Sequence, residues 1–230
     1  MHLTTEGCEM KDIDLFMQRF CDAGAKAVCR YIEISGEPLS TMPEYFMPAF
    51  IMNCLGDDVT FTLETGFATL HTWNGDSRER NLRNDLRVEE PLLSDEIYGR
   101  RIDMVIFEGQ NEGKPKHEQD IFALAEFKRG WIDSAKTPGK ISDRDKLLMF
   151  MNFIDTSKYG IVCGYVNENH LNWQAKDVKR ESKDRLFMAP IKQDNKSYEP
   201  MYFCARLIFA ETLDNQRLND LRVHFLNQAG

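Results

Sequence analysis

Three side chains stand out because their types and spacing suit hydrolysis of a phosphate ester. Asp103 interrupts the apolar run Ile102-Asp103-Met104-Val105-Ile106-Phe107, and Glu126 and Lys128 close the run Ala123-Leu124-Ala125-Glu126-Phe127-Lys128. A charge carried into an apolar strand without a partner is costly, so such side chains are expected to hold a ligand or one another. Strand alternation puts Glu126 and Lys128 on one face. If the runs form an antiparallel hairpin closing near residue 114, Asp103 faces residue 125, which brings its carboxylate next to that of Glu126. Two carboxylates and an ammonium so placed suit divalent-metal chemistry. The oxygens hold a hard cation such as Mg²⁺ or Mn²⁺, and the cation stabilises charge on a phosphoryl oxygen. The lysine orients or deprotonates the attacking water.

The elements that must position these residues are legible from periodicity. Residues 12–32 carry Ile13, Phe16, Met17, Phe20, Ala23, Ala27 and Tyr31 at helical spacing, and Ser35-Gly36-Glu37-Pro38 interrupts the pattern. A second helical piece is expected over 43–55, with Ser40 or Thr41 as its N-cap. Pro48 equally allows a turn at 43–47 and a helix starting at the proline. Residues 59–64 alternate like a strand, 67–73 form another apolar run, and 74–98 read as a polar connection with a short helix. Strands at 102–107 and 121–127 form the hairpin, joined by a loop containing Gly109, Gly113 and Pro115. After a loop over 130–140, Ser142-x-x-Asp145 resembles a capping box and opens a helix of about a dozen residues. A strand buried on both faces follows at 159–166. Residues 167–200 look irregular, 202–210 read as a strand, and 212–226 as a closing helix. The sum is one α+β domain over 1–230.

Composition narrows the function classes. The 230 residues are 42% hydrophobic, 29% charged and 11% aromatic, enough for a real core and unlike a disordered chain. No apolar run approaches the roughly 20 residues needed to span a bilayer, and no secretory signal is visible at residues 1–10. The six cysteines lack zinc-ligand spacing, and Cys29, Cys54, Cys163 and Cys204 sit among apolar neighbours like buried thiols of a cytoplasmic protein. His71, His117 and His170 are isolated, and no phosphate-binding glycine loop is present. The net charge is −8, but residues 128–146 and 176–196 are each net basic by +3, which suits local capture of phosphates. Trp131 and Trp173 are possible stacking platforms, whereas Arg78, Arg80, Arg83 and Arg87 are interleaved with acids and read as self-neutralised.

With these elements in order, the chain resembles the PD-(D/E)xK, or restriction-endonuclease-like, nucleases. A strand with R-x-D, a strand with E-F-K, a helix and an apolar strand carry the resemblance, over residues from about 43 to 166. It implies a three-layer α/β core, a central mixed sheet of about five strands flanked by helices, with the 12–32 helix and the 202–226 strand and helix as additions. It also implies Mg²⁺- or Mn²⁺-dependent hydrolysis of phosphodiester bonds, with DNA the expected partner and RNA open. Asp103 and Glu126 would then bind metal and Lys128 would assist the water. The resemblance further implies a third acid, Glu44, with Glu64 as the alternative, and a basic residue from the following helix, Lys146 or Arg144. Arg129, Arg144 and Lys146 are the matching nucleic-acid contacts. Cutting both strands of a duplex needs two sites, so a homodimer is compatible with this reading. Two departures stand out: Ile102 replaces the motif's proline, and 22 residues separate Asp103 from Glu126. The alternative reading is a catalytically inactive module on the same fold that binds nucleic acid or protein.

Overall fold

In the computed structural model the first helix, α1 (Ile13–Ser35), begins where the Asp12 carboxylate accepts the backbone N–H groups of Asp14 and Leu15 at 3.0 and 3.1 Å. It ends at Gly36, whose φ of 64° is the left-handed C-cap conformation that glycine adopts without penalty. The structure describes residues 12–56, 59–66, 101–108, 119–128, 142–153, 157–178, 183–192, 200–211, 213, 216–217 and 220–221. The readings placed on 67–98, on the 130–140 loop, on His71, His117, Arg129 and Trp131, on the Trp173 side chain and on most of 212–226 lie outside the described residues.

Between α1 and the sheet, the chain makes a short 3-10 turn, Leu39–Thr41, and a helix, α2 (Phe46–Leu55). Neither Ser40 nor Thr41 caps α2. The Thr41 hydroxyl instead donates to the Pro38 carbonyl at 2.7 Å and pairs with the Tyr31 hydroxyl at 2.8 Å, tying the turn to α1. Pro48 is the third residue of α2, where a backbone N–H has no acceptor within the helix, so it costs no hydrogen bond. The helix therefore starts between the two alternatives the sequence offered.

Six strands form one mixed sheet in the order β1 (Thr60–Gly66), β2 (Arg101–Phe107), β3 (Ile121–Lys128), β4 (Tyr159–Asn167), β6 (Met201–Phe209), β5 (Arg185–Ile191). β2 and β3 pair antiparallel, while β3 and β4 pair parallel across a connection containing α3 (Asp143–Phe153). Ser142 caps α3 as expected: its hydroxyl accepts the Asp145 N–H at 3.0 Å and donates to the Asp145 carboxylate at 2.7 Å. Gly164 of β4 pairs with Lys128, and a Cβ there would come within 2.4 Å of the Lys128 carbonyl oxygen. The glycine thus lets β4 run against the functional end of β3.

The described part of 167–200 is not irregular. It holds a helix, α4 (Glu168–Val178), and the edge strand β5. α4 buries Leu171 and Val178 in an otherwise polar sequence, too narrow a stripe to read as a helix face. β5 buries Ala189 and Ile191 in alternation and carries Pro190, which an edge strand tolerates.

Hydrophobic clusters cover both sheet faces. One joins α1 and α2 to Met104, Ile106, Ala123, Ala125, Ile161 and Phe203. The other joins α3 and α4 to Val105, Leu124, Val162, Cys204 and Ile208. The fold is α+β with a central six-stranded mixed sheet and four helices among the described residues. None of its described helices is long and apolar enough to cross a membrane. Cys21, Cys163 and Cys204 are buried thiols, whereas Cys54 is exposed and Cys29 half-buried, against the expectation that both are core residues.

Candidate active site

The hairpin register decides how the first two acids meet. Near the loop Phe107 faces Ile121, but an irregularity between Ile106 and Phe107 shifts the ladder, so that Met104 faces Ala125. Asp103 consequently stands opposite Glu126 rather than residue 125, one residue from the symmetric expectation. The Asp103 carboxylate accepts the Phe127 N–H at 2.7 Å, which fixes it against β3. Burial nevertheless pushes its carboxyl above the usual aspartate range, opposed by that hydrogen bond and by Lys146 and Lys128.

Glu126 is nearly inaccessible, at 3% exposure, and faces the α3 side of the sheet. Its carboxyl is raised by burial although Lys146, from the first turn of α3, places its ammonium 2.6 Å from Oε1. Lys128 lies 3.5 Å from Oε2. The Lys128 ammonium is held more closely by Asp143, at 3.1 Å. Burial alone would depress the Lys128 pKa, but Asp143 and Glu126 together outweigh it and raise the value.

A cavity of about 360 Å³ opens beside these groups. Its wall runs from Met42 to Pro48 on one side, and includes Glu64, Asp103, Glu126, Phe127 and Lys128 on the other. Both candidates for a third acid, Glu44 and Glu64, therefore line the same space as Asp103 and Glu126. Glu64 is in β1, in line with Asp103 between the pairs Leu63–Met104 and Thr65–Ile102. Its φ of 47° is the left-handed conformation that a residue with a Cβ seldom adopts. Arg101 holds its carboxylate at 3.1 Å, and the same carboxylate pushes the Tyr45 phenol above its ordinary pKa.

The remaining assignments separate. Lys146 is at the site, on Glu126. Arg144 is not: its guanidinium is mostly buried and bonds Asp184 at 2.8 Å, beside Arg206, which reaches the same carboxylate at 2.7 Å. That network ties α3 to the start of β5 and to β6. Asp143, Arg101 and Tyr45 were missed from sequence. Arg101 was visible as the R of R-x-D, and Asp143 as an acid in the first turn of the helix after E-x-K. Neither pattern names a partner.

The donor set fits a hard divalent cation. Among the described residues, five carboxylates (Glu44, Glu64, Asp103, Glu126 and Asp143) stand in or beside the cavity against the cations Arg101, Lys128 and Lys146. Burial raises both Asp103 and Glu126 in spite of the lysines, so their charge is under-compensated. Oxygen donors in that state suit Mg²⁺ or Mn²⁺. Among the described residues, no three His, Cys, Asp or Glu side chains already converge as a ligand set. Comparison of the chain with protein-family models, with curated proteins and with solved structures finds no match.

Proposed function

We propose that this cavity is the active centre of a divalent-metal-dependent nuclease of restriction-endonuclease-like architecture, hydrolysing phosphodiester bonds in DNA. The observation that carries the reading is the facing pair Asp103 and Glu126 at the end of a hairpin, with Lys128 and Lys146 on Glu126 and a cavity beside them. Asp103 and Glu126 would hold the cation, with a third acid from Glu44 or Glu64. Bound Mg²⁺ supplies positive charge for a phosphoryl oxygen and for the attacking water.

The chain's own contribution is positioning and charge. The Phe127 N–H fixes Asp103 in one orientation, which leaves its second oxygen for a ligand. Asp143 and Glu126 keep Lys128 protonated, so it acts as a hydrogen-bond donor that orients water and offsets charge at phosphorus, rather than as the base. Lys146 neutralises part of Glu126 and limits repulsion of an approaching phosphate.

The test is cleavage of plasmid and linear DNA with Mg²⁺ or Mn²⁺ by the wild type and by Asp103→Ala, Glu126→Ala and Lys128→Ala. Loss of cleavage in each variant is expected, and activity surviving all three substitutions would sink the reading. A second reading, a non-catalytic nucleic-acid- or protein-binding module on this fold, draws on the two lysines that already engage Glu126. Calorimetry without Mg²⁺ or Mn²⁺ uptake, alongside retained DNA binding, would favour it.

A further inference from the structure

Two side chains at the mouth of the cavity have no task in the hydrolytic reading. Tyr45, on the cavity wall, is 53% exposed, and the Arg101 side chain, 3.1 Å from Glu64 of the same wall, is 67% exposed. The Glu64 carboxylate raises the Tyr45 phenol above its ordinary pKa. Glu64 in turn sits in a left-handed backbone conformation within a strand, the kind of local strain that persists only where surrounding contacts hold it. Of the three cations around the cavity, Lys128 and Lys146 are drawn inward onto Glu126 and Asp143. The Arg101–Glu64 pair is the one that faces water, with Glu64 31% exposed, and an exposed pair is weak enough to exchange partners.

A phosphodiester approaching this cavity meets more carboxylates than cations among the described residues, and Arg101 is the cation whose ion pair faces water. A guanidinium binds phosphate with paired N–H donors at least as well as it binds a carboxylate. An exposed phenol ring offers a face for a sugar or base.

We propose that Arg101 and Tyr45 form a substrate clasp: an incoming DNA phosphate takes Arg101 from Glu64, and the released Glu64 carboxylate joins Asp103 and Glu126 in holding the cation. This inference rests on the nuclease reading and adds an order to it, in which substrate binding completes the cation site. It accounts for a cavity that carries both candidate acids and yet has no ligand set already closed among the described residues.

The clasp predicts opposite effects on two equilibria, which a merely structural role would not produce. In Arg101→Gln, Glu64 loses its restraint, so Mn²⁺ or Mg²⁺ titrated by calorimetry without DNA binds tighter than to wild type. Binding of a fluorescein-labelled DNA duplex in Ca²⁺ weakens roughly tenfold, and the slope of log affinity against log salt falls by about 1. Arg101→Lys lies between, because the charge remains and the fork is lost. Tyr45→Phe keeps the ring and leaves DNA binding unchanged, whereas Tyr45→Ala weakens DNA binding. Circular dichroism checks that each variant is folded. A wild type with no metal-dependent cleavage would remove the nuclease reading and the clasp with it. A cleaving wild type whose Arg101→Gln variant binds metal and DNA unchanged, or binds both more weakly, would overturn the clasp alone.

Discussion

The Asp143 carboxylate, from the first turn of α3, stands 3.1 Å from the Lys128 ammonium at the end of β3, closer than Glu126, the neighbour two residues away on the same strand. A helix joined to β3 by a long connection thus sets the position of the motif's lysine. Asp143→Asn should therefore lower kcat roughly 10- to 100-fold with little change in KM, the scale of loss when a reacting group is displaced by about an ångström. It also removes the leading influence that raises the Lys128 pKa. The ammonium then loses its proton at lower pH, and the alkaline limb of the rate profile moves to lower pH. Steady-state rates across pH, with Asp143→Glu as the rescuing variant, check both effects.

Lys146→Met leaves the buried Glu126 carboxylate with Lys128 alone. Breaking such a buried pair should destabilise the metal-free protein by about 3 kcal/mol at neutral pH. Burial already raises the Glu126 carboxyl above its ordinary 4.5, and losing Lys146 raises it further. A carboxyl raised on folding binds its proton more tightly in the folded state, so the deficit shrinks as pH falls through the raised value towards 4.5. Urea denaturation at several pH values in EDTA would show it, and Mg²⁺ should restore part of the lost stability.

Glu64 offers a test of backbone strain separate from charge. At its φ of 47°, alanine pays the left-handed penalty and glycine does not. Glu64→Gly should therefore be more stable than Glu64→Ala by about 1 kcal/mol. Equal melting temperatures for the two variants would mean that the left-handed conformation is not retained without the Glu64 side chain.

Arg144→Ala should behave as a core lesion, not as the loss of a DNA contact. Its guanidinium is largely enclosed against Asp184, beside Arg206. Removal of one partner from a buried ion network costs roughly 3–5 kcal/mol. At a temperature where the variant remains folded, its affinity for a DNA duplex and the salt dependence of binding should match those of wild type. A drop in the salt slope by about 1 would restore Arg144 to the nucleic-acid surface.

Much of the fold was legible because each element carries its own local signal. The 3.6-residue stripe of α1, the Ser142 cap of α3 and the unbroken apolar run of β4 depend on neighbours in sequence. α4 and β5 escaped notice because their burial comes from packing, of α4 on β4 and β6 and of β5 on β6 and α1, rather than from a strong pattern of their own.

The candidate site divides in the same way. The sequence by itself determined that Asp103, Glu126 and Lys128 occupy apolar strands of one hairpin, because strand periodicity and the cost of burying charge act locally. Only the tertiary structure decided their partners. The shift at Ile106 and Phe107 set Asp103 against Glu126, and the packing of α3 brought Asp143 and Lys146 to the lysine and the glutamate. It also turned Arg144 inward to Asp184, and the pairing of β1 with β2 joined Arg101 to Glu64. Hydrogen bonds and ion pairs act over a few ångströms in space, whatever the separation along the chain. A one-residue shift in a ladder or one turn of a helix therefore exchanges partners that spacing in the sequence leaves open.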